Sequence, residues 1–156
     1  MPLQLSQKER MLLEDEKSQE DICVKKYSNY FQQAQDTELK QLFSKLGGEE
    51  QHHLDMINDM LQGKEPNMSH ASMQQVNTTQ AQNSSYSGAM GKEGDKVLCS
   101  DLLSTEKYVS GTYDTGVFES ANKTVRQTLQ HIQQDEQHHG EQIFDYMNSH
   151  GMYNVK

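Results

Sequence analysis

At 156 residues and 33% hydrophobic content, the chain is long enough for one packed domain, 1–156, and short for two. A net charge of -9 and a sequence pI near 5.2 argue against a nucleic-acid-binding face. No apolar run approaches the ~18 residues of a membrane-spanning helix, and the first residues lack the basic and apolar regions of a secretory signal, which implies cytoplasmic synthesis. Two cysteines, Cys23 and Cys99, make neither a disulfide framework nor a thiolate metal site.

Apolar spacing at three and four residues predicts four helices. The first covers 6–34, with Leu12, Leu13, Cys23, Val24, Tyr27 and Phe31 on its apolar side. The second covers 37–61 through Leu39, Leu42, Phe43, Leu46, Ile57 and Leu61. A Gln/Asn/Ser/Thr/Met/Gly-rich stretch, 62–94, then lacks the periodicity and apolar content of a packed element. The third helix covers 95–119 through Leu98, Leu102, Leu103, Val109, Tyr113 and Val117. The last covers 123–148 through Val125, Leu129, Ile132, Ile143 and Met147. Asp36 and Asn122 stand where N-caps belong, and Gly151 where the last helix should stop. Short joins at 35–36 and 121–122 pair the helices into antiparallel hairpins, 6–61 and 95–149. The stretch 62–94 is long enough to run the ~38 Å of a 25-residue helix, so it permits a crossover between them.

The two hairpins are copies. Shifting the chain by 86 residues places Ser18 on Ser104, Glu20 on Glu106, Tyr27 on Tyr113 and Gln41 on Gln127. The same shift places Glu50-Gln51-His52-His53 on Glu136-Gln137-His138-His139, Ile57 on Ile143 and Asp59 on Asp145. Glu20 and Glu50 lie 15 residues either side of position 35, and Glu106 and Glu136 lie equally far from position 121. Equal distance from a hairpin turn means equal height, so a two-fold packing of the hairpins makes all four carboxylates level. Glu50 with His53, and Glu136 with His139, continue the apolar seams of their helices at i, i+3. Glu20 stands in the run 13, 16, 20, 24, 27, 31, and Glu106 in the run 99, 103, 106, 110, 113, 117.

Four ionised carboxylates in a helical core are prohibitive unless compensated. Protonation relieves one or two of them at most, and two divalent cations are the simpler compensation. His53 and His139 are then terminal nitrogen ligands, and ligand softness allows iron or manganese and argues against copper alone. One Glu from each of two helices and Glu-x-x-His from each of the other two is the constellation of di-iron and di-manganese carboxylate bundles. Glu50 and Glu136 then bridge or flank the ions, and Glu20 and Glu106 are terminal carboxylates. His52 and His138 lie off the seam, three residues after Glu49 and Asp135, and read as rim residues. Tyr27 and Tyr113 are placed either to hydrogen-bond the ligand carboxylates or to serve as core tyrosines. The cysteines occupy inequivalent repeat positions and receive no role.

On these six positions the chain resembles the rubrerythrin and ferritin-like superfamily. That resemblance implies a ferritin-like four-helix bundle with a long crossover, acting on dioxygen or peroxide at a di-iron centre or on hydrogen peroxide at a di-manganese centre. The Cys-x-x-Cys pairs of rubrerythrin's electron-donating module are lacking, and nothing points to ferritin's cage surfaces. In Glu106 followed by Tyr113, in the helix 123–132 and in the closing stretch 143–153, the chain resembles the spore coat F family. That likeness implies a component of the spore's outer layers, with coat proteins or further copies of itself as partners. The leading expectation is therefore a binuclear metal protein acting on peroxide or dioxygen. A structural coat protein whose metals hold the bundle together is the second, and metal buffering with more than two ions per chain a weaker third.

Overall fold

The computed structural model describes residues 1–69 and 89–156. Four helices, α1 (Gln7–Gln33), α2 (Thr37–Leu61), α3 (Ala89–Glu119) and α4 (Lys123–Ser149), form an all-α chain with no strand among the described residues. α2 begins and ends where its sequence pattern does. α3 starts six residues before the expected 95, so 89–94 is helix and not part of the polar connection. Of the expected connection, 70–88 lies outside the described residues.

Each hairpin packs on itself, and the two hairpins meet α1 against α3 and α2 against α4. The end of α2 lies by the start of α1, where the Leu3 amide donates to the Gly63 carbonyl at 2.7 Å. The start of α3 lies by the α1–α2 join. There the buried Asp95 carboxylate accepts from the amides of Gln35 (2.9 Å) and Asp36 (3.0 Å). Its repeat counterpart, Glu9, is buried at the opposite end and accepts from the Asn122 amide at 2.6 Å. Glu9 also completes a capping box with Ser6, giving 3.1 Å and 2.9 Å bonds. Burial raises the Glu9 carboxyl, but the amides of Asn122 and Ser6 outweigh it and hold the group below its ordinary range. Each hairpin thus sends an acidic side chain from its first helix into the tight join of the other, satisfying amides that would otherwise be buried and unpaired.

Asn122 caps α4, its side chain accepting from the amides of Thr124 (2.9 Å) and Val125 (3.3 Å). Asp36 occupies the same position on α2 but makes no side-chain cap. Its carboxylate instead accepts from the Tyr146 hydroxyl at 2.6 Å, which ties α4 to the α1–α2 join. Gly151 takes φ +68°, the left-handed conformation that ends a helix.

Two apolar clusters sandwich a polar middle. One gathers Tyr27, Phe43, Leu46, Leu102 and Ile143, and the other gathers Leu13, Ile57, Tyr113, Leu129 and Ile132. Their sides of α1 and α3 differ from the expected runs. The buried seam passes through Cys23 rather than Val24, and through Leu102 and Val109 rather than Leu103 and Ser110. The 3.6-residue period drifts across a seam counted in steps of three and four. Cys23 and Cys99 are both buried and free. Burial pushes the Cys99 thiol up to about 12 and the Cys23 thiol well up as well, with Glu50 and Glu20 adding to the effect. Both therefore pack as small apolar groups, and Val109 and Leu13 are their repeat counterparts.

Candidate metal centre

Between the two apolar clusters the four helices bring Glu20, Glu50, His53, Glu106, Glu136 and His139 together, none more than 2% exposed. They form two overlapping sets. Glu20, Glu50, His53 and Glu136 offer one ligand atom each within 4.8 Å of one another, and so do Glu50, Glu106, Glu136 and His139. Glu50 and Glu136 belong to both sets, one terminal carboxylate and one imidazole completing each. The two imidazoles face each other across the pseudo-two-fold with ring centroids 5.6 Å apart.

Both imidazoles turn Nδ1 inward. His53 Nδ1 lies 2.8 Å from Glu136 and 3.2 Å from Glu50, and His139 Nδ1 lies 3.0 Å from Glu50 and 3.5 Å from Glu106. The outward Nε2 atoms each meet a carboxylate from the other hairpin. His53 Nε2 is 2.9 Å from Asp135, and His139 Nε2 is 2.6 Å from Glu49. A carboxylate at Nε2 favours a proton there, which would leave Nδ1 to a metal ion. Glu49 and Asp135 are themselves a repeat pair. Their carboxylates orient the inner imidazoles, a role the off-seam reading of these positions missed. His52 is half-buried and His138 exposed.

Tyr27 and Tyr113 close the opposite side. The Tyr27 hydroxyl donates to Glu106 Oε1 at 2.5 Å, and the Tyr113 hydroxyl donates to Glu20 Oε1 at 2.5 Å. Of the two roles open to them, the structure places both on the terminal carboxylates, each reaching across to the other hairpin. Gly47 makes room on one side, since a Cβ there would sit 3.1 Å from the Tyr27 Cβ.

The electrostatics are lopsided. Burial raises Glu20 and Glu136 well above the ordinary carboxylate range, with neighbouring Glu50 adding to it, and raises Glu106 less strongly. Glu50 is buried too, yet the two imidazoles pull it well below that range. Burial lowers His139, but Glu106, Glu49 and Glu50 more than reverse it, and His53 shifts the same way through Asp135 and Glu50. The surroundings thus favour the ionised form of Glu50, beside two imidazoles, and the protonated form of Glu20, Glu106 and Glu136. Several oxygens are left over. Glu20 Oε2, Glu106 Oε2 and both Glu136 oxygens have no hydrogen-bond partner among the described residues. Buried acceptors without donors are costly, and all four belong to residues of the two sets. The donor set suits a pair of hard or borderline divalent cations.

One turn before Glu20 stands Glu16, 4% exposed, for which the repeat supplies Leu102. The Thr112 hydroxyl lies 3.1 Å from its carboxylate. Burial raises Glu16 from an ordinary 4.5 to about 7. A folded value above the unfolded one means a favourable contribution below about pH 4.5 that is lost as pH rises through 7. Glu16→Gln is therefore expected to stabilise the fold at pH 8 by about 2 kcal/mol more than at pH 5. Urea unfolding at the two values measures the difference, and an equal effect at both excludes a buried, titrating Glu16.

A third group, Asp36, Glu38 and His150, lies at the α1–α2 end. His150 Nε2 is 3.4 Å from Glu38 and 3.8 Å from Asp36. It is half exposed and shows none of the stranded buried oxygens of the centre.

Residues 94–156, spanning α3 from Gly94, all of α4 and the tail, match the family model of the Coat F domain. No curated protein and no solved structure matches the chain. No helix among the described residues is long and apolar enough to cross a membrane.

Proposed function

We propose that this chain is a structural component of the spore coat whose bundle is held together by two divalent metal ions, iron or manganese, at the six-residue centre. The observation that carries the coat role is the Coat F match across the second hairpin. Support for a stabilising metal pair comes from burial. Glu20, Glu50, His53, Glu106, Glu136 and His139 are none of them more than 2% exposed, and together they would staple all four helices at mid-height. Glu20 and His53 would hold one ion, Glu106 and His139 the other, with Glu50 and Glu136 shared. Bound metal would supply Lewis-acid and redox capacity, while the chain fixes carboxylate geometry through Tyr27 and Tyr113, orients the imidazoles through Asp135 and Glu49, and excludes water. This ordering reverses the expectation that peroxide or dioxygen chemistry leads, because the Coat F match favours the structural alternative.

The test uses full-length protein purified without chelator or affinity tag, beside a Glu50→Ala/Glu136→Ala variant. Wild type is expected to hold about two equivalents of iron or manganese by elemental analysis, and the variant about none. The variant should also fail to lodge in the coat when expressed as a fluorescent fusion in sporulating cells. A variant that assembles normally would remove the structural role of the centre. Hydrogen peroxide or dioxygen turnover present in wild type and lost in the variant would put the oxidoreductase reading first.

A further inference from the structure

The centre has two contrasting sides. Tyr27 and Tyr113 cover it from α1 and α3, both essentially inaccessible at 1% and 0% exposed. On the α2–α4 side each inner imidazole presents Nε2 to a carboxylate that reaches solvent, Asp135 at 13% and Glu49 at 14% side-chain exposure. These carboxylates are two mouths related by the pseudo-two-fold.

The mouths differ one turn farther out, where the repeat breaks. Four residues before Asp135 stands His131, its side chain 26% exposed but its Nε2 buried, 3.6 Å from the Asp135 carboxylate. Four residues before Glu49 the repeat has Lys45, whose ammonium donates to Gln142 at 2.8 Å. A lysine is a fixed cation and offers no lone pair, so it repels an approaching divalent ion. An imidazole beside a carboxylate offers a nitrogen and an oxygen, which can hold such an ion while it sheds water.

We propose that divalent cations reach the buried centre through the His131–Asp135 mouth, so that the set containing His53 fills before the set containing His139. This rests on the two-metal reading above. His131 is the uptake residue: it touches neither set directly, and it hands the ion to Asp135, which already bonds the inner imidazole. Lys45 closes the second mouth, and the second ion arrives by way of the shared carboxylates Glu50 and Glu136.

Stopped-flow uptake of Co2+ by the metal-free, full-length protein, followed by its visible absorption, tests the route. His131→Ala is expected to slow the first equivalent about tenfold, the scale of local electrostatic capture, while the final uptake stays at two. Lys45→Ala should not slow uptake, because it opens the closed mouth. Uptake by His131→Ala at the wild-type rate, or an equal slowing by Lys45→Ala, would overturn the route while leaving the two-metal reading standing. A wild-type protein that takes up no Co2+ would overturn both.

Discussion

Stripping the bound metal with a chelator is expected to lower the thermal midpoint of the protein by at least about 10 °C, and two equivalents of iron or manganese should restore it. The size follows from linkage. Each ion bound only by the folded state contributes about 4 kcal/mol at a thousand-fold excess over its dissociation constant. A chain of this length shifts by roughly 2–4 °C per kcal/mol. The direction follows from the oxygens of Glu20, Glu106 and Glu136 that lack a hydrogen-bond partner among the described residues, which entering cations would coordinate. Metal uptake should also release protons, since Glu20, Glu106 and Glu136 hold theirs above the ordinary range when metal is absent. Calorimetry with and without chelator measures the shift. A midpoint indifferent to both chelator and metal would mean that the six residues form a self-sufficient polar core.

The centre was legible because it is written twice. Glu20, Glu50 and His53 recur 86 residues later as Glu106, Glu136 and His139, and hairpin geometry puts equal distances from a turn at equal heights. What escaped were pairs in which the copies differ in chemistry or in face. Glu9 and Asp95 satisfy the amides of opposite joins, yet one is Glu and the other Asp. Glu49 and Asp135 show the same substitution, and they lie off the apolar seam in the register set aside with His52 and His138. They matter because an imidazole has two nitrogens, and the apolar pattern marks only the inward one. The early start of α3 was hidden by composition. Gly91 and Gly94 are poor helix formers, and the helix persists there with Asp95 anchored in the neighbouring join. The capping role of Asp36 failed for a similar reason, since Tyr146, 110 residues away, takes its carboxylate.

The pseudo-two-fold makes Glu50 and Glu136 equivalent by sequence, but their surroundings make them opposites, and this yields the second large expected effect. Glu50 lies between both imidazoles, 3.2 Å from His53 Nδ1 and 3.0 Å from His139 Nδ1, and they pull it below the carboxylate range despite its burial. Glu136 is raised well above that range by burial and by Glu50; His53 Nδ1 lies 2.8 Å from one of its oxygens, yet neither oxygen makes an aligned hydrogen bond among the described residues. Replacing a buried polar group that is not satisfied with an apolar side chain of similar volume is neutral or stabilising, whereas removing one partner of a buried ion pair costs about 3–5 kcal/mol. In metal-free protein Glu136→Met should therefore stabilise the fold by about 1–2 kcal/mol, while Glu50→Met should destabilise it by about 3 kcal/mol. With metal present both substitutions should be destabilising relative to wild type. Each substitution removes an oxygen donor common to both ions, so each should cost about 4 kcal/mol or more relative to loaded wild type. Urea unfolding of the two variants with chelator and with excess Mn2+ reads all four values. A Glu136→Met variant that is destabilised equally in both conditions would show that Glu136 is satisfied without metal, and would leave the shared-carboxylate arrangement without its physical basis.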